Sequence, residues 1–300
     1  AEPGEWMVQL TIRYCFLVQT CAPSEVELGT RWIDIPGQPR LIEVDPPPST
    51  EGRPRPWEVS ELVVSVGQRV LVATTPDLRG RLPKLLAEAE RAATVADRYA
   101  VRGSPPHHYH VFYAGRPEWR RWYLGDTPDW VAGYAVSTGG DGYDVVLNSR
   151  ELADGQLDNL LRHELTHVAS LHGASRTSDG TWWLVEGLAE HAAAGARPVH
   201  GYEGLSQVTR LLDEGGWNGE LDQIRPGRNA ADWQVAGSYG VGYLAVRYLV
   251  DRYGEPALLT FFKHVVHDGR APEDAARAAF AADWSVLHDE CVAYLRRVAR

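Results

Sequence analysis

Long hydrophobic runs are absent from this sequence. No segment approaches the eighteen consecutive apolar residues that a membrane-spanning helix needs, and Arg13 interrupts the nearest candidate at residues 6–18. Runs rich in lysine or arginine are absent as well, and the 300 residues carry a formal net charge of −10. We therefore expect no membrane span in this chain and no nucleic-acid partner.

Cysteine is scarce, and the chain holds only Cys15, Cys21 and Cys291. Their spacing forms no zinc-ribbon pattern. A disulfide between Cys15 and Cys21 would suit an exported protein, whereas three buried thiols fit the same sequence equally well. The chain begins with Ala1 rather than methionine, so we expect a mature form or a fragment from which any signal peptide is absent.

Apolar and aromatic side chains are plentiful, with 44% hydrophobic residues, 11 tryptophans and 13 tyrosines. A chain of this length can form one large domain or two smaller ones around a substantial core. Residues 1–66 are predicted to be β-rich, because residues 6–14 and 30–35 alternate between apolar and polar side chains. They resemble the later strands of a cone-shaped α+β fold of the nuclear-transport-factor-two type. Residues 45–56 are too rich in proline for regular structure and are predicted to form a linker.

From residue 67 onward, strands and helices alternate. Residues 69–74 and 109–113 are predicted strands on either side of a long helix at residues 76–99. Residues 130–137 and 143–147 flank a glycine-rich turn and predict a β-hairpin. The remainder is predicted to be mainly helical, with helices near residues 205–213, 235–253, 255–267, 272–282 and 284–300.

Residues 157–173 contain a pattern that metal-binding helices use. Leucine and valine recur there at three- and four-residue spacing, and Gly173 stands where a C-terminal cap belongs, so we expect a helix. His163 and His167 would lie one turn apart on the same face of this helix and could bind one metal ion. Glu164 directly follows the first histidine, so its carboxylate could reach a water molecule bound to that ion.

A third protein ligand is expected, because catalytic zinc sites commonly use three and leave the fourth position to water. Glu186 follows His167 after eighteen intervening residues. That interval allows the first helix to end, a polar loop to turn back and a second helix to bring the carboxylate to the metal. Glu190 lies one helical turn further and could accept the remaining ring N–H of a ligating histidine, which would fix its tautomer.

The combined pattern, H-E-L-T-H and then W-L-V-E-G-L-A-E, resembles the gluzincin metallopeptidases. The similarity is greatest to the peptidase-MA-like metallohydrolases, with aminopeptidase N and thermolysin as more distant relatives, and it extends from about residue 70 to the C-terminus. It implies an α+β catalytic domain at residues 67–300, with a mixed sheet in front, a helical C-terminal lobe behind and zinc between them. It also implies one zinc ion per chain bound by His163, His167 and Glu186, with Glu164 as general base and Glu190 supporting a ligating histidine.

The resemblance extends to a substrate-binding strand. In gluzincins the strand before the zinc helix forms the sheet edge that pairs with the substrate backbone, and here it includes Gly133, Tyr134 and Ala135. The glycines of the hairpin to which this strand belongs equally suit an ordinary turn. Aminopeptidase N relatives hold the free amine of the substrate with a glutamate near this strand. Residues 132–136 contain no glutamate, which predicts an endopeptidase-like or narrow specificity.

Tyr239 is implied as a second catalytic residue. Residues 236–244 resemble a helix start in aminopeptidase N relatives, Y-x-K-G-x-x-x-L, whose tyrosine donates a hydrogen bond to the reaction intermediate. The match is partial, because Val241 stands where those proteins have lysine. Tyr243, one turn further along, is the alternative donor, and a tyrosine at the start of an apolar helix can also belong simply to the core.

A second group of histidines precedes the strand at residues 109–113. His108 and His110 would share a face of that strand, so a second metal site is conceivable. No carboxylate or cysteine stands nearby in sequence, and we therefore expect ordinary histidines at the end of a strand.

These observations predict a zinc-dependent metallopeptidase that acts on a peptide or protein substrate. Two other functions remain open: an inactive, zinc-stabilised binding module, and a zinc hydrolase that acts on a non-peptide amide. Because relatives with this architecture are often exported, we expect an extracellular or cell-envelope location, with the cytoplasm as the alternative. The sequence does not specify the substrate or the oligomeric state.

Overall fold

The computed structural model describes residues 4–17, 23–45, 54–123, 131–139, 142–150, 152, 155–174, 178–227 and 229–300. The chain divides into two compact units, residues 1–90 with 106–154 and residues 91–105 with 155–300. The predicted domain boundary between residues 66 and 67 falls within the first unit and stays a prediction. Among the described residues, no helix combines the length and the apolar character that crossing a bilayer requires.

The first unit begins with a three-stranded antiparallel sheet in the order β1-β2-β3. Its strands are β1 (Glu5–Tyr14), β2 (Ser24–Ile35) and β3 (Gln38–Val44). The two predicted strands are confirmed, and β3 follows β2 through a tight turn in which Gly37 has a φ of 82°. Residues 46–53 of the predicted linker lie outside the described residues. So does Cys21, and with it the question of a disulfide between Cys15 and Cys21; Cys291 is a buried free thiol.

A five-stranded mixed sheet follows, in the order β4-β5-β6-β8-β7. The three inner strands run parallel, and an antiparallel strand lies at each edge. Every residue of the inner strand β5 is buried, as expected where both faces of a sheet are covered. The predicted hairpin is confirmed, and its first strand is the edge strand. The strands are β4 (Val63–Val66), β5 (Val70–Thr74), β6 (Tyr109–Ala114), β7 (Gly133–Gly139) and β8 (Gly142–Asn148).

Three helices accompany these strands in the sequence. The short helices α1 (Pro56–Val59) and α3 (Arg116–Arg121) were not predicted from the sequence. The predicted long helix is α2 (Leu82–Ala96), which 3₁₀ turns extend at both ends to cover residues 76–99. The core of the first unit contains Phe112 and Trp122, and the ring of Phe16 in the N-terminal segment lies 5.5 Å from that of Phe112.

The second unit is helical, as predicted. The last four predicted helices are all present, although residues 263–267 form a π-helical turn and the helix that begins at Pro272 ends where Ala281 adopts the left-handed conformation. The helices are α4 (Leu157–Leu171), α5 (Trp182–Ala194), α6 (Leu205–Asp213), α7 (Asp232–Tyr253), α8 (Glu255–Phe262), α9 (Pro272–Phe280) and α10 (Trp284–Val298). A mixed sheet and a helical unit together confirm the predicted α+β fold class.

Candidate metal centre

Helix α4 presents both histidines of the H-E-x-x-H pattern. Leu161, Leu165 and Val168 are buried on the helix, which explains its apolar spacing. The helix ends at Leu171, His172 is its C-cap residue, and Gly173 follows with a φ of 71°, the left-handed conformation common just after a helix. His163 and His167 are both buried. A single continuous helix therefore places the two imidazoles one turn apart.

Helix α5 brings Glu186 to these histidines. Its Oε2 atom lies 3.3 Å from His163 Nε2 and 3.1 Å from His167 Nε2, and the two Nε2 atoms are 3.0 Å apart. Within the described part of the chain, these three residues form the only group of three histidine, cysteine, aspartate or glutamate side chains whose ligand atoms all lie within 4.8 Å of one another. Ligands at about 2.0–2.1 Å from a tetrahedral zinc ion are separated by roughly 3.3 Å. The donor atoms and their spacing thus fit zinc.

The charges of the site favour this arrangement. Burial opposes ionisation of Glu186, but attraction to the neighbouring imidazoles of His167 and His163 holds the pKa of this carboxyl well below its usual range. Glu186 is therefore an anion at neutral pH. A buried carboxylate and two imidazoles form a ligand set of low net charge that suits a divalent cation.

Glu164 has a different environment from the ligands. Its side chain is buried, and burial raises its pKa above the usual value, although His163 and His167 act in the opposite direction. A carboxylate with a raised pKa binds a proton more strongly at neutral pH than an exposed one does. This property suits a group that must accept a proton and release it again.

Glu190 contacts the other side of His163. The Nδ1–H of His163 donates a hydrogen bond of 3.1 Å to Glu190 Oε1. This contact assigns the proton to Nδ1 and leaves the lone pair of Nε2 directed towards Glu186 and His167. The second oxygen of Glu190 accepts a hydrogen bond of 2.8 Å from the hydroxyl of Tyr202, a residue that the sequence patterns did not single out.

Tyr239 lies beside the candidate ligands. Its ring centroid is 6.0 Å from that of His163, and it packs edge-on against Trp182 at 5.0 Å. The negative charge of Glu186, together with burial, raises the pKa of Tyr239 well above its usual value, so its hydroxyl stays protonated.

Tyr243 has different neighbours. Its ring stacks on Tyr202 with a centroid distance of 4.2 Å. Burial raises its pKa, and the charges that act on it include those of Arg247 and Asp251. The carboxylates of the candidate metal centre act on Tyr239, so the electrostatic surroundings of the two tyrosines differ.

Two glycines bring α5 and α7 into backbone contact. A Cβ atom on Gly187 would lie 2.3 Å from the carbonyl oxygen of Gly242, and one on Gly242 would lie 2.7 Å from the carbonyl oxygen of Trp183. Side chains at these positions would separate the helices. The contact places Glu186, next to Gly187, close to the helix that carries Tyr239. Gly187 belongs to the W-L-V-E-G-L-A-E pattern, but nothing in the sequence identifies its partner.

The predicted substrate-binding strand lies in the first unit, whereas the residues of the metal centre lie in the second. Gly133, Tyr134 and Ala135 are in the edge strand β7, which pairs with β8. The ring of Tyr134 packs on Trp119 at a centroid distance of 5.1 Å. A role for this strand in substrate binding stays a prediction.

The second histidine cluster has a carboxylate neighbour that is distant in sequence. Because β6 and β8 are adjacent and pair His110 with Asp144, the Nδ1 atom of His110 lies 3.0 Å from Asp144 Oδ1. The hydroxyl of Tyr123 donates to the other oxygen of this buried aspartate. Both oxygens of Asp144 thus have a partner, and the described residues form no group of three metal ligands there.

Comparison with known proteins identifies similarity of fold. No protein-family model matches the chain, and no curated protein matches it. Native LTA4 hydrolase from yeast is 16% identical over 76% of this chain and 38% of that chain, with a TM-score of 0.50. The M1 zinc metallopeptidase from Deinococcus radiodurans is 15% identical over 99% of this chain and 61% of that chain, with a TM-score of 0.44. This chain spans less than two thirds of the length of either protein. The predicted likeness to gluzincin metallopeptidases is confirmed for the fold.

Proposed function

We propose that this protein is a zinc-dependent metallopeptidase that hydrolyses peptide bonds with the help of Glu164. The observation that carries the proposal is the triangle of donor atoms from His163, His167 and Glu186, with sides of 3.0–3.3 Å. Glu164 is buried next to this triangle but is not one of its members. A purely structural zinc site is more often closed by four protein ligands, whereas three ligands and a free carboxylate suit hydrolysis.

A side chain of this protein, Glu164, carries out the proton transfers of the reaction. When bound, zinc would polarise the substrate carbonyl and lower the pKa of the attacking water. Glu164 takes a proton from that water as the oxygen attacks the carbonyl carbon. It then returns the proton to the amine nitrogen as the C–N bond breaks. The burial of Glu164 beside the proposed ligands supports both steps, because the group must hold the proton between them.

Tyr239 is the proposed donor to the carbonyl oxygen, on which negative charge develops during attack. Its ring neighbours His163, and its hydroxyl is protonated at neutral pH. The hydroxyl is therefore available as a donor without a change of protonation. Val241, in place of the lysine of aminopeptidase N relatives, shows that the wider segment differs from that family.

The proposed substrate is a peptide that adds as a strand to β7, and the proposed specificity is endopeptidase-like or narrow. Support comes from the edge position of β7 and from the absence of a glutamate in residues 132–136. Rapid release of single N-terminal residues from unblocked peptides, abolished when the peptides are acetylated, would contradict this specificity.

The decisive experiment is incubation of the zinc-loaded protein with a diverse peptide mixture, followed by identification of new termini by mass spectrometry. We expect cleavage that a chelator abolishes and added zinc restores. Glu164→Gln is the matched control, because an amide of nearly the same shape leaves the metal ligands in place but accepts no proton. This variant should retain zinc while its turnover falls by orders of magnitude. Full zinc occupancy without any new termini would favour a binding module or a non-peptide amide substrate.

A further inference from the structure

The carboxylate of Glu190 is held at both of its oxygens. Oε1 accepts the Nδ1–H of His163 at 3.1 Å, and Oε2 accepts the hydroxyl of Tyr202 at 2.8 Å. A carboxylate bound at one oxygen only can rotate about its terminal torsion, because rotation about such sp³–sp² bonds is loosely restrained. The hydrogen bond from Tyr202 restricts this rotation and so holds the acceptor that His163 uses.

The ring of Tyr202 is itself closely confined. It stacks on Tyr243 with a centroid distance of 4.2 Å and an interplanar angle of 23°. A Cβ atom on Gly204 would lie 2.7 Å from this ring, and one on Gly240 would lie 3.2 Å from it. Two glycines thus allow the backbones before α6 and within α7 to enclose the ring, which gives its hydroxyl a defined position.

The two histidines of the metal centre differ in the hydrogen bonding of their Nδ1 atoms. The Nδ1 atom of His163 is bound to Glu190, whereas the Nδ1 atom of His167 is buried and has no hydrogen-bond partner among the described residues. Only one imidazole of the pair is therefore oriented by a chain of hydrogen bonds. Any change in the hydrogen bonds from Tyr202 through Glu190 should act on the site through His163.

We propose that Tyr202 is a positioning residue of the metal centre: through Glu190 it fixes the tautomer and the ring orientation of His163. The inference rests on the proposed zinc site and extends it to a residue outside the ligand set. Outer partners of metal-ligating histidines commonly contribute about ten- to a hundredfold to metal affinity. Since Tyr202 acts through one intervening carboxylate, we expect a loss near the lower end of that range.

Tyr202→Phe tests this proposal by removing one hydroxyl while keeping the ring. Zinc affinity is measured by competition with a chromogenic chelator, and the geometry of the site is followed by the visible spectrum of the cobalt(II)-substituted protein. We expect roughly a tenfold weaker zinc affinity and an altered cobalt spectrum. Tyr248→Phe is the matched control, because it removes a hydrogen bond of the same 2.8 Å length to another glutamate, Glu290, and should change neither quantity.

A double-mutant cycle with Glu190→Ala tests the route of the effect. If Tyr202 acts through Glu190, adding Tyr202→Phe to Glu190→Ala should cause no further loss of zinc affinity. Losses that add in the double variant would overturn the proposal, as would a Tyr202→Phe protein with the affinity and cobalt spectrum of the wild type. If Tyr202→Phe does not fold, Tyr202→Met fills the same space without a hydroxyl and takes its place. Absence of zinc binding in the wild-type protein would instead refute the proposed function.

Discussion

Replacement of Gly187 by alanine should destabilise the protein and weaken metal binding, although alanine favours a helix. The new Cβ atom would lie 2.3 Å from the carbonyl oxygen of Gly242 and 2.8 Å from Cγ2 of Val246. The first obstacle is backbone, so no side-chain rotation can relieve it. Carbon and oxygen approach to roughly 3.3 Å at closest, and α5 and α7 must therefore separate by about 1 Å.

Two opposing effects determine the size of the change. Overpacking in a close contact costs about 1–3 kcal/mol, and a rigid backbone obstacle favours the upper part of that range. Alanine in place of glycine within a helix contributes about 0.5–1 kcal/mol in the other direction. We therefore expect the free energy of unfolding to fall by about 1–2 kcal/mol. This corresponds to a fall of roughly 2–8 °C in the melting temperature of a unit of this size.

The measurements are thermal unfolding and zinc affinity, because Gly187 directly follows Glu186, the proposed ligand. A shift of α5 should widen the triangle of donor atoms and reduce zinc affinity along with stability. Gly80→Ala is the control: this glycine lies in the 3₁₀ turn before α2, and a Cβ atom there would have none of the described residues within 4 Å except its chain neighbours. It should be neutral or slightly stabilising. If Gly187→Ala behaved like this control in both measurements, the close contact would not be the reason for glycine at position 187.

Three further predictions concern single side chains. Glu186→Ala should lower zinc affinity sharply and Glu190→Ala more moderately, as measured by chelator competition; the reverse order would exchange their assigned roles. Tyr239→Phe should retain zinc and lower kcat roughly ten- to a thousandfold, and an unchanged kcat together with a loss in Tyr243→Phe would transfer the donor role. Hydrogen bonds from His264 and Lys263 lower the pKa of Asp268 to about 2. Its stabilising effect is therefore present at neutral pH and is lost as the pH falls through that value, so Asp268→Asn should lower the melting temperature slightly at pH 6 and by less at pH 2. An equal difference at both pH values would contradict this reasoning.

The local part of the metal centre was predictable from the sequence. Helix geometry alone places His163 and His167 on one face, and the apolar spacing around them predicts the helix. The interval to Glu186 and the further turn to Glu190 predict two helices that meet at a metal. The structure agrees at the level of distances, because each of these relations depends on helical periodicity and one short connection.

The sequence by itself thus determined the longer helices, the hairpin and the residues that can hold a metal. The tertiary structure alone decided which distant segments meet: Gly187 with Gly242, Tyr202 with Glu190, and His110 with Asp144. Strand order and helix contacts create these pairs, and no periodicity of the chain encodes them. The physical reason is that side-chain spacing reports which face of an element is buried, whereas the partner on that face is chosen by packing of the whole unit.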